Sequence, residues 1–308
     1  MACHLEPYAV FSSLISNNDS EIIKRTVNNI LLDGLNLRAY RHEPNVGKRK
    51  SWAAGDAVSR GIELASISEF EDEIYSEIQK DENWGFEKVF LNGENLSFGK
   101  DLNDWVIENV LFKVLYPAEF HGQSAIEASV KVSDLYKERE QEIERVIIET
   151  HEPAIRIISN KDKLKNASDR DHSLEFMVAA GLLFKEVNSK TYEDNFSGLK
   201  QIENLRRKIK VQENKEFTEN YYDISKRHIA NTVYFEYNDG SFSKKETVET
   251  PIGHPNRREE AEPLLKQKLI NNMSSHFSEE RAKDIWEKIL LIDVDSEFKE
   301  VIKLLSND

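Results

Sequence analysis

Four segments of the chain gather cationic and titratable side chains between stretches that resemble regular secondary structure. They are residues 38–50, residues 113–123 (KVLYPAEFHGQ), residues 169–172 (DRDH), and residues 226–228 (KRH) together with 253–258 (GHPNRR). Lysine and arginine pair with anions, and histidine and aspartate exchange protons, so these segments favour anion binding and acid–base chemistry. The alternative for each segment is a solvated surface or a structural ion pair, in which charged groups are equally common.

The sequence contains no motif for nucleotide binding, zinc-dependent proteolysis or serine-hydrolase chemistry. There is no G-x-x-x-x-G-K-[ST] loop, no G-x-G-x-x-G turn, no H-E-x-x-H helix and no G-x-S-x-G elbow. The eight histidines are scattered, and none stands four residues from another. We therefore expect neither a protein-built metal site nor a bound cofactor.

The composition narrows the class of protein further. The 308 residues carry 42 Lys and Arg against 56 Asp and Glu, a net charge of −14, which argues against a nucleic-acid partner. The single cysteine, Cys3, excludes an internal disulfide and favours a reducing compartment. No stretch is apolar enough to cross a bilayer, and the first twenty residues lack Lys and Arg, so we expect no membrane association, secretory signal or transit peptide.

Hydrophobic periodicity predicts the elements that must position the four segments. Helices are expected over 22–32, 54–65, 174–182, 258–273 and 278–292, and strands over 145–150, 154–158, 208–212, 232–237 and 245–251. The small residues from Ala54 to Ala65 recur at helical spacing and predict a core-facing stripe. Residues 37–52, punctuated by Pro and Gly, predict a loop, and 71–82 predict an acidic surface segment. The order of helices, mixed elements and helices predicts an α+β insertion within a helical domain.

Eight short stretches, taken together and in order, resemble one family. They are LRAYRHEPN at 37–45, KSWAAGDA at 50–57, WGF at 84–86, YPAEFHGQ at 116–123, HEPAIRII at 151–158, DRDH at 169–172, KRHIAN at 226–231 and PIGH at 251–254. This set is similar to the iron-independent 2-methylcitrate dehydratase branch of the MmgE/PrpD family. The resemblance runs from about residue 22 to near the C-terminus. One departure is Ser173, because the branch usually has Cys after the DRDH stretch.

The resemblance implies a mainly α fold, in which an all-helical domain carries an inserted α+β lid domain. The corresponding boundaries are 1–112 for the first helical part, 113–251 for the lid and 252–308 for the returning helices. Family members are usually homodimers, so we expect a homodimer with its active site between helical domain and lid. The compartment expected from the resemblance is the mitochondrial matrix or the cytoplasm.

The reaction implied by the resemblance is removal of water from 2-methylcitrate to give 2-methyl-cis-aconitate in propionate breakdown, with no cofactor. Lys50 and Lys113 match lysines of the family pattern and are assigned to the charge of the carboxylates and the transition state. His121 is the candidate acid or base, although the family pattern aligns its histidine closer to Gln123. The remaining candidates for substrate binding are Tyr40, Arg41, His42, Gln123, Asp169, Arg170 and His172. For the DRDH residues, a structural cluster that fixes the lid helix is an equal alternative.

Full-length family members carry a further N-terminal helical portion with an Asp- and His-containing motif, and this sequence lacks it. Three hypotheses therefore stand beside each other. The chain is a working dehydratase, a truncated and catalytically inactive member that binds a partner, or a fragment of an intact enzyme. A cis-aconitate decarboxylase-like activity, known from relatives in the wider family, is an alternative reaction.

Overall fold

The computed structural model describes residues 20–33, 40, 47–70, 75, 78–95, 110–160, 162–274, 276–293 and 303–306. The chain divides into two compact units, residues 1–105 and 106–308, and each is described by itself. Helices dominate both, and a small mixed sheet lies in the second unit, which agrees with the expected mainly α class. No helix among the described residues combines the length and the apolar character that a membrane span requires.

The first unit contains α1 (Ser20–Asp33), α2 (Arg49–Ser68) and α3 (Phe86–Phe90). Helices α1 and α2 pack against each other through Ile30, Ala57 and Leu64. A buried hydrogen bond from Asn29 Nδ2 to Ser68 Oγ, 3.1 Å long, joins the same two helices.

The apolar stripe predicted on α2 is displaced by part of a turn. Ala57 and Ala65 are buried as expected, but Ala54 is exposed and Ile62 is 50% exposed. The buried face instead includes Ala53 and Leu64. The predicted loop over 37–52 is also too long, because α2 begins at Arg49. Residues 71–74 and 76–77 of the predicted acidic segment lie outside the described residues.

Apart from short turns of 3-10 helix, the described part of the second unit begins with ten helices and strands. They are α4 (Gln123–Lys131), α5 (Ser133–Arg139), β1 (Ile143–Thr150), α6 (Glu152–Ile158), α7 (Ala167–Arg170), α8 (Leu174–Phe184), α9 (Leu199–Arg206), β2 (Ile209–Glu213), α10 (Lys215–Tyr222) and β3 (Asn231–Tyr237). The short strand β4 (Glu246–Val248) and helices α11 (Arg258–Met273) and α12 (Glu279–Ile289) follow. The core lies where α4 and α8 cover the sheet, and α8 is buried throughout from Leu174 to Leu182.

The sheet has the strand order β2-β1-β3-β4. Strands β1 and β2 are parallel, whereas β3 runs antiparallel to both β1 and β4. The predicted hairpin is confirmed: Gly240 adopts φ +81° in the turn, although the return strand is only Glu246–Val248. The register pairs Thr150, the last residue of β1, with Asn231, the first residue of β3.

The strand predicted over 154–158 is wrong, because Glu152–Ile158 forms helix α6. His151 has extended backbone angles at the N-cap, and Pro153 stands in the first turn, where its missing N–H costs nothing. Glu152 adds a negative charge at the positive end of the helix. These local signals at the N-terminus outweigh the short apolar run, which by itself fits either element.

The two helices predicted near the C-terminus are confirmed. Helix α12 starts at a side-chain cap, in which the Arg281 N–H donates to Ser278 Oγ at 3.2 Å. Loop 110–119 precedes the sheet and is held to the segment before α11. The Phe112 N–H donates to the Gly253 carbonyl at 3.0 Å. The division of the chain at 112 and 251 stays a prediction.

Candidate active site

A turn of 3-10 helix, Phe120–Gly122, presents His121 beside Glu119. The carboxylate of Glu119 caps this turn by accepting a 2.8 Å hydrogen bond from the His121 N–H. Both carboxylate oxygens also lie 2.9 Å from His121 Nδ1. Because a carboxylate accepts and does not donate, Nδ1 carries a proton and the neutral ring presents a lone pair at Nε2.

Tyr221, near the end of α10, meets that lone pair. Its hydroxyl oxygen lies 3.1 Å from His121 Nε2, so the hydroxyl donates to the neutral imidazole. Burial raises the pKa of Tyr221, and the neighbouring Tyr222 and Glu119 raise it further. Tyr221 is therefore a protonated hydroxyl donor at neutral pH, and Glu119, His121 and Tyr221 form one hydrogen-bonded chain.

A second histidine lies behind this chain. His151 follows the last residue of β1 and is fully buried. Its ring stacks on Tyr221 with centroids 4.7 Å apart and lies 5.3 Å from the ring of His121. Burial lowers the pKa of His151 to about 4, and repulsion from a charged His121 contributes. At neutral pH, His151 is uncharged.

The sheet register explains why these groups meet. Since Thr150 and Asn231 are cross-strand partners, His151 and Asn231 lie at the same edge of the sheet. Asn231 Nδ2 donates to the His121 carbonyl at 3.0 Å and to Ser124 Oγ at 2.8 Å, which fixes the turn that carries His121. Within the described part of the chain, Asn231 Oδ1 and His151 Nε2 are buried without a hydrogen-bond partner.

The DRDH stretch adjoins this cluster through its backbone. The Glu119 N–H donates to the Asp171 carbonyl at 3.2 Å, and the side chains of Asp171 and His172 contact each other. Asp169 Oδ2 accepts a 2.6 Å bond from the Lys165 N–H. The bond between Glu119 and Asp171 places the DRDH stretch beside the Glu119–His121–Tyr221 chain. The bond between Asp169 and the Lys165 N–H favours a structural role for Asp169 over substrate binding.

The side chain of Arg170 bonds residues outside the Glu119–His121–Tyr221 chain. Its Nε donates to the Tyr192 carbonyl at 2.8 Å, and its Nη2 contacts Asp194. It lines a pocket of about 620 Å³ together with Glu175 and Arg206. These partners also favour a structural role for Arg170.

Gln123 and Lys113 flank the turn that carries His121. The buried amide of Gln123 donates to the carbonyls of Tyr116 and Ala118, at 2.9 and 3.0 Å, and thereby holds the segment before Glu119. Lys113 has an exposed side chain, and its carbonyl accepts from Lys268 Nζ. Burial lowers the pKa of Lys268, and the charge of Lys113 lowers it further.

Lys50 and Tyr40 belong to the first unit, so their position relative to His121 stays a prediction. Lys50 is partly buried at the start of α2, where its N–H donates to the Gly47 carbonyl at 3.0 Å. The guanidinium of Arg49 lies 5.4 Å from the ring of Tyr40 and 4.3 Å from that of Trp52. Arg41 and His42, the other two candidates near Lys50, lie outside the described residues.

The sequence singled out His121 but not the groups that complete its chain. Glu119, His151 and Asn231 stand inside the quoted motifs, and the Glu-x-His spacing could have indicated the first of them. Tyr221 had no local signal, since it is 100 residues from His121. Among the described residues, no group of three or more His, Cys, Asp or Glu is arranged to hold a metal ion.

The second unit is thus a helix-rich α+β unit, and a hydrogen-bonded carboxylate–histidine–tyrosine chain lies at one edge of its mixed sheet. Residues 116–293, which include this hydrogen-bonded chain, match the model of the MmgE/PrpD C-terminal domain. The chain belongs to the MmgE/PrpD family, as its motifs predict.

Three relatives illustrate the range of the match. The 2-methylcitrate dehydratase of Escherichia coli (strain K12) is 42% identical over 275 residues, which cover 87% of this chain and 56% of that protein. A probable 2-methylcitrate dehydratase of Saccharomyces cerevisiae is 38% identical over 88% of this chain and 53% of its own length. The mitochondrial 2-methylcitrate dehydratase of Yarrowia lipolytica is 37% identical, with coverages of 84% and 50%. The chain spans about half the length of the curated relatives it matches.

Proposed function

We propose that the chain acts as a 2-methylcitrate dehydratase, a hydro-lyase that converts 2-methylcitrate into 2-methyl-cis-aconitate and water. The observation that carries the proposal is identity of 37–42%, over 84–88% of the chain, to relatives that have this activity in their names. The His121 cluster supports it further, because the whole cluster lies within the matched domain.

The reaction sets clear demands on the protein. A base takes a proton from the carbon next to a carboxylate, and the electron pair left behind forms the new double bond. The carbon–oxygen bond breaks, and an acid protonates the departing hydroxide. Negative charge grows on the carboxylate during this step, so cations must stabilise it.

His121 is proposed as the acid of this reaction. The Glu119 carboxylate fixes the ring orientation and stabilises the imidazolium form, as a carboxylate does for a catalytic histidine in general. Burial keeps His151 uncharged, so of the two histidines only His121 takes up and gives the proton in the proposed reaction. The two histidines thus have different environments, and only His121 is proposed to transfer a proton.

The negative charge of a tricarboxylate substrate requires positively charged side chains in the site. We propose that Lys50 and Lys113 pair with substrate carboxylates, since each buried charge of the substrate needs a partner. Tyr40, Arg41, His42 and His172 remain the proposed contacts around them. Gln123, Asp169 and Arg170 already bond protein groups, and their proposed contribution is the shape of the site.

The proposed arrangement places the substrate between an all-helical domain and a lid formed by 113–251, with 252–308 returning to the helical domain. We propose a homodimer, as the family resemblance implies. The relative named mitochondrial supports the mitochondrial matrix as the compartment, and the bacterial relatives keep the cytoplasm as the alternative.

The test is turnover by the purified chain. Mixed with 2-methylcitrate, it should produce ultraviolet absorbance from the new conjugated double bond, and His121→Asn should lose most of that rate. A parallel assay with cis-aconitate should release no carbon dioxide. Absence of absorbance at high protein concentration would reject dehydration, and carbon dioxide release would favour decarboxylation.

A further inference from the structure

We propose that Tyr221 is a catalytic residue, whose hydroxyl group hands the proton to the departing hydroxide while His121 resupplies it. This inference rests on the proposed dehydration and names a residue to which neither the motifs nor the comparisons give a role. It follows from the geometry around both nitrogens of His121.

Both ring nitrogens of His121 have partners. Nδ1 lies 2.9 Å from each oxygen of Glu119, and Nε2 lies 3.1 Å from the Tyr221 hydroxyl. A proton therefore passes between this imidazole and a bound substrate through the Tyr221 hydroxyl. Tyr221 is partly exposed, as a group that reaches a ligand must be.

The proton count closes over one turnover. In the reactive state, His121 is protonated, its Nε2–H donates to the Tyr221 oxygen, and the Tyr221 hydroxyl faces the leaving oxygen. As the carbon–oxygen bond breaks, the Tyr221 proton moves to the hydroxide to form water. The Nε2 proton moves to the Tyr221 oxygen at the same time, so no phenolate accumulates. His121 then regains a proton from solvent, and the base releases to solvent the proton that it took from carbon, so the net products are the alkene and water.

The surroundings keep Tyr221 suited to this transfer. Burial and the neighbouring Glu119 raise the pKa of Tyr221, which keeps the hydroxyl protonated between turnovers. The ring of His151 stacks on it at 4.7 Å with an interplanar angle of 16°, which restricts its orientation. Since burial also keeps His151 uncharged, it does not repel the protonated His121.

Tyr222 provides a matched control on the same helix. Its ring contacts that of Tyr221 edge to face, but its exposed hydroxyl bonds Glu152 Oε2 at 3.3 Å instead of His121. Tyr221→Phe and Tyr222→Phe remove the same atom from adjacent residues. We expect Tyr221→Phe to lower kcat by roughly 10²–10⁴-fold with KM within about threefold, and Tyr222→Phe to leave both within about twofold.

A change of leaving group separates proton donation from a merely structural role. An analogue of 2-methylcitrate with fluorine in place of the hydroxyl group releases fluoride, which needs far less protonation than hydroxide. On this analogue, the kcat of Tyr221→Phe should be less than about tenfold below that of the wild type. An equal deficit on both substrates, or kcat above half of the wild-type value on 2-methylcitrate, overturns the proposal.

A measurement without turnover distinguishes this inference from the proposed reaction. In ¹⁵N spectra of the full chain, Tyr221→Phe should move the His121 Nε2 signal toward that of an acceptor without a hydrogen bond, and Tyr222→Phe should not. An unchanged Nε2 signal in Tyr221→Phe overturns the inference even if wild-type protein dehydrates 2-methylcitrate. A second outcome is that Tyr221→Phe shows the expected signal change but the wild-type protein does not dehydrate 2-methylcitrate. That outcome overturns the proposed reaction and with it the catalytic role of Tyr221, while the hydrogen bond to His121 stands.

Discussion

Glu119 and His121 form a closed pair within one turn: the carboxylate accepts from the His121 N–H at 2.8 Å and places both of its oxygens 2.9 Å from Nδ1. The same side chain thus caps the turn and selects the ring tautomer. The two functions are inseparable in the native residue, but a carboxamide separates them, because it can still accept from the N–H while it loses the charge.

Replacing this carboxylate tests the importance of the tautomer. Glu119→Gln should keep the capped turn yet no longer stabilise a protonated His121, and we expect kcat for dehydration to fall by at least about 10²-fold. The matched control is Glu138→Gln, an exposed carboxylate on α5, which should leave kcat unchanged. Comparable rates for both variants would contradict a role of Glu119 in catalysis.

Burial of His151 predicts a specific loss of stability in mild acid. Its pKa falls from 6.5 to about 4 in the folded protein, so below pH 6.5 the unfolded chain binds a proton that the folded chain rejects. The stabilisation, about 3 kcal/mol, is fully present above pH 6.5 and is lost as the pH falls to about 4. The charges of His121, Glu119 and Glu152 also act on this ring.

The contribution of His151 is isolated by a variant that keeps an aromatic ring. His151→Phe should show a flatter decline of unfolding free energy between pH 6.5 and 4 than the wild type, measured by denaturant titration at each pH. The other groups titrate in both proteins, so the difference between the two curves reports His151. Parallel curves would show that this histidine is not held neutral by the fold.

The elements with strong periodicity are the ones that the sequence predicts well. The buried α8, the strand β1 and the hairpin around Gly240 have repeated apolar positions or a turn residue with a clear conformational requirement. The run 154–158 predicts a strand because its four apolar residues, three of them Ile, fit both elements. Pro153 in the first turn favours a helix start after His151, but the weight of this signal against an apolar run depends on the tertiary packing.

The candidate site was predictable only in part, for a related reason. His121 stands in a motif, but its contact with Tyr221 depends on how α10 packs beside the turn Phe120–Gly122. No local pattern specifies that packing. The pKa of His151 depends on burial at the sheet edge, which is likewise a property of the folded chain.

The proposed lysines predict a loss of affinity for the tricarboxylate. Lys50→Gln and Lys113→Gln should each lower kcat/KM by roughly 10–100-fold, since a charge-assisted bond contributes about 1.5–3 kcal/mol. The exposed residues Lys48 and Lys137 provide control substitutions to Gln, which should stay close to wild type. Lys113→Gln leaves the backbone carbonyl that accepts from Lys268 in place, so its effect reports the side chain. Values near wild type for both variants would remove the lysines from the site.

A buried ion pair links α4 to the segment before α11. Arg257 Nη1 and Nη2 lie 2.9 and 3.1 Å from the two oxygens of Glu127. The hydrogen bond to Glu260 raises the pKa of Arg257, and the bond to Glu127 raises it further. Glu127→Gln should cost about 2 kcal/mol of unfolding free energy, because it leaves the partly buried guanidinium with the exposed Glu260 as its remaining charge partner. Glu279→Gln, which breaks an exposed pair with Lys283, should leave the melting temperature unchanged. Equal effects would mean that the Glu127 pair is as weak as a surface pair.

Position 253 requires glycine for two reasons, its backbone conformation and its close contact with Phe112. Its φ is +98°, and a Cβ at this position would lie 2.1 Å from the Phe112 carbonyl oxygen, where the backbone must shift to make room. Gly253→Ala should therefore lower the unfolding free energy by about 3 kcal/mol, from strain and overpacking together. Differential scanning calorimetry of the full chain measures this loss.

Gly240 separates the two causes, because its φ is +81° and a Cβ there meets nothing within 4 Å. Gly240→Ala should cost only the conformational strain, about 1 kcal/mol. The excess loss in Gly253→Ala then reports the contact with Phe112, whose N–H donates to the Gly253 carbonyl at 3.0 Å. If both alanine variants lose the same stability, the segment 110–112 does not pack against Gly253 in solution, and the position of loop 110–119 beside His121 must be revised.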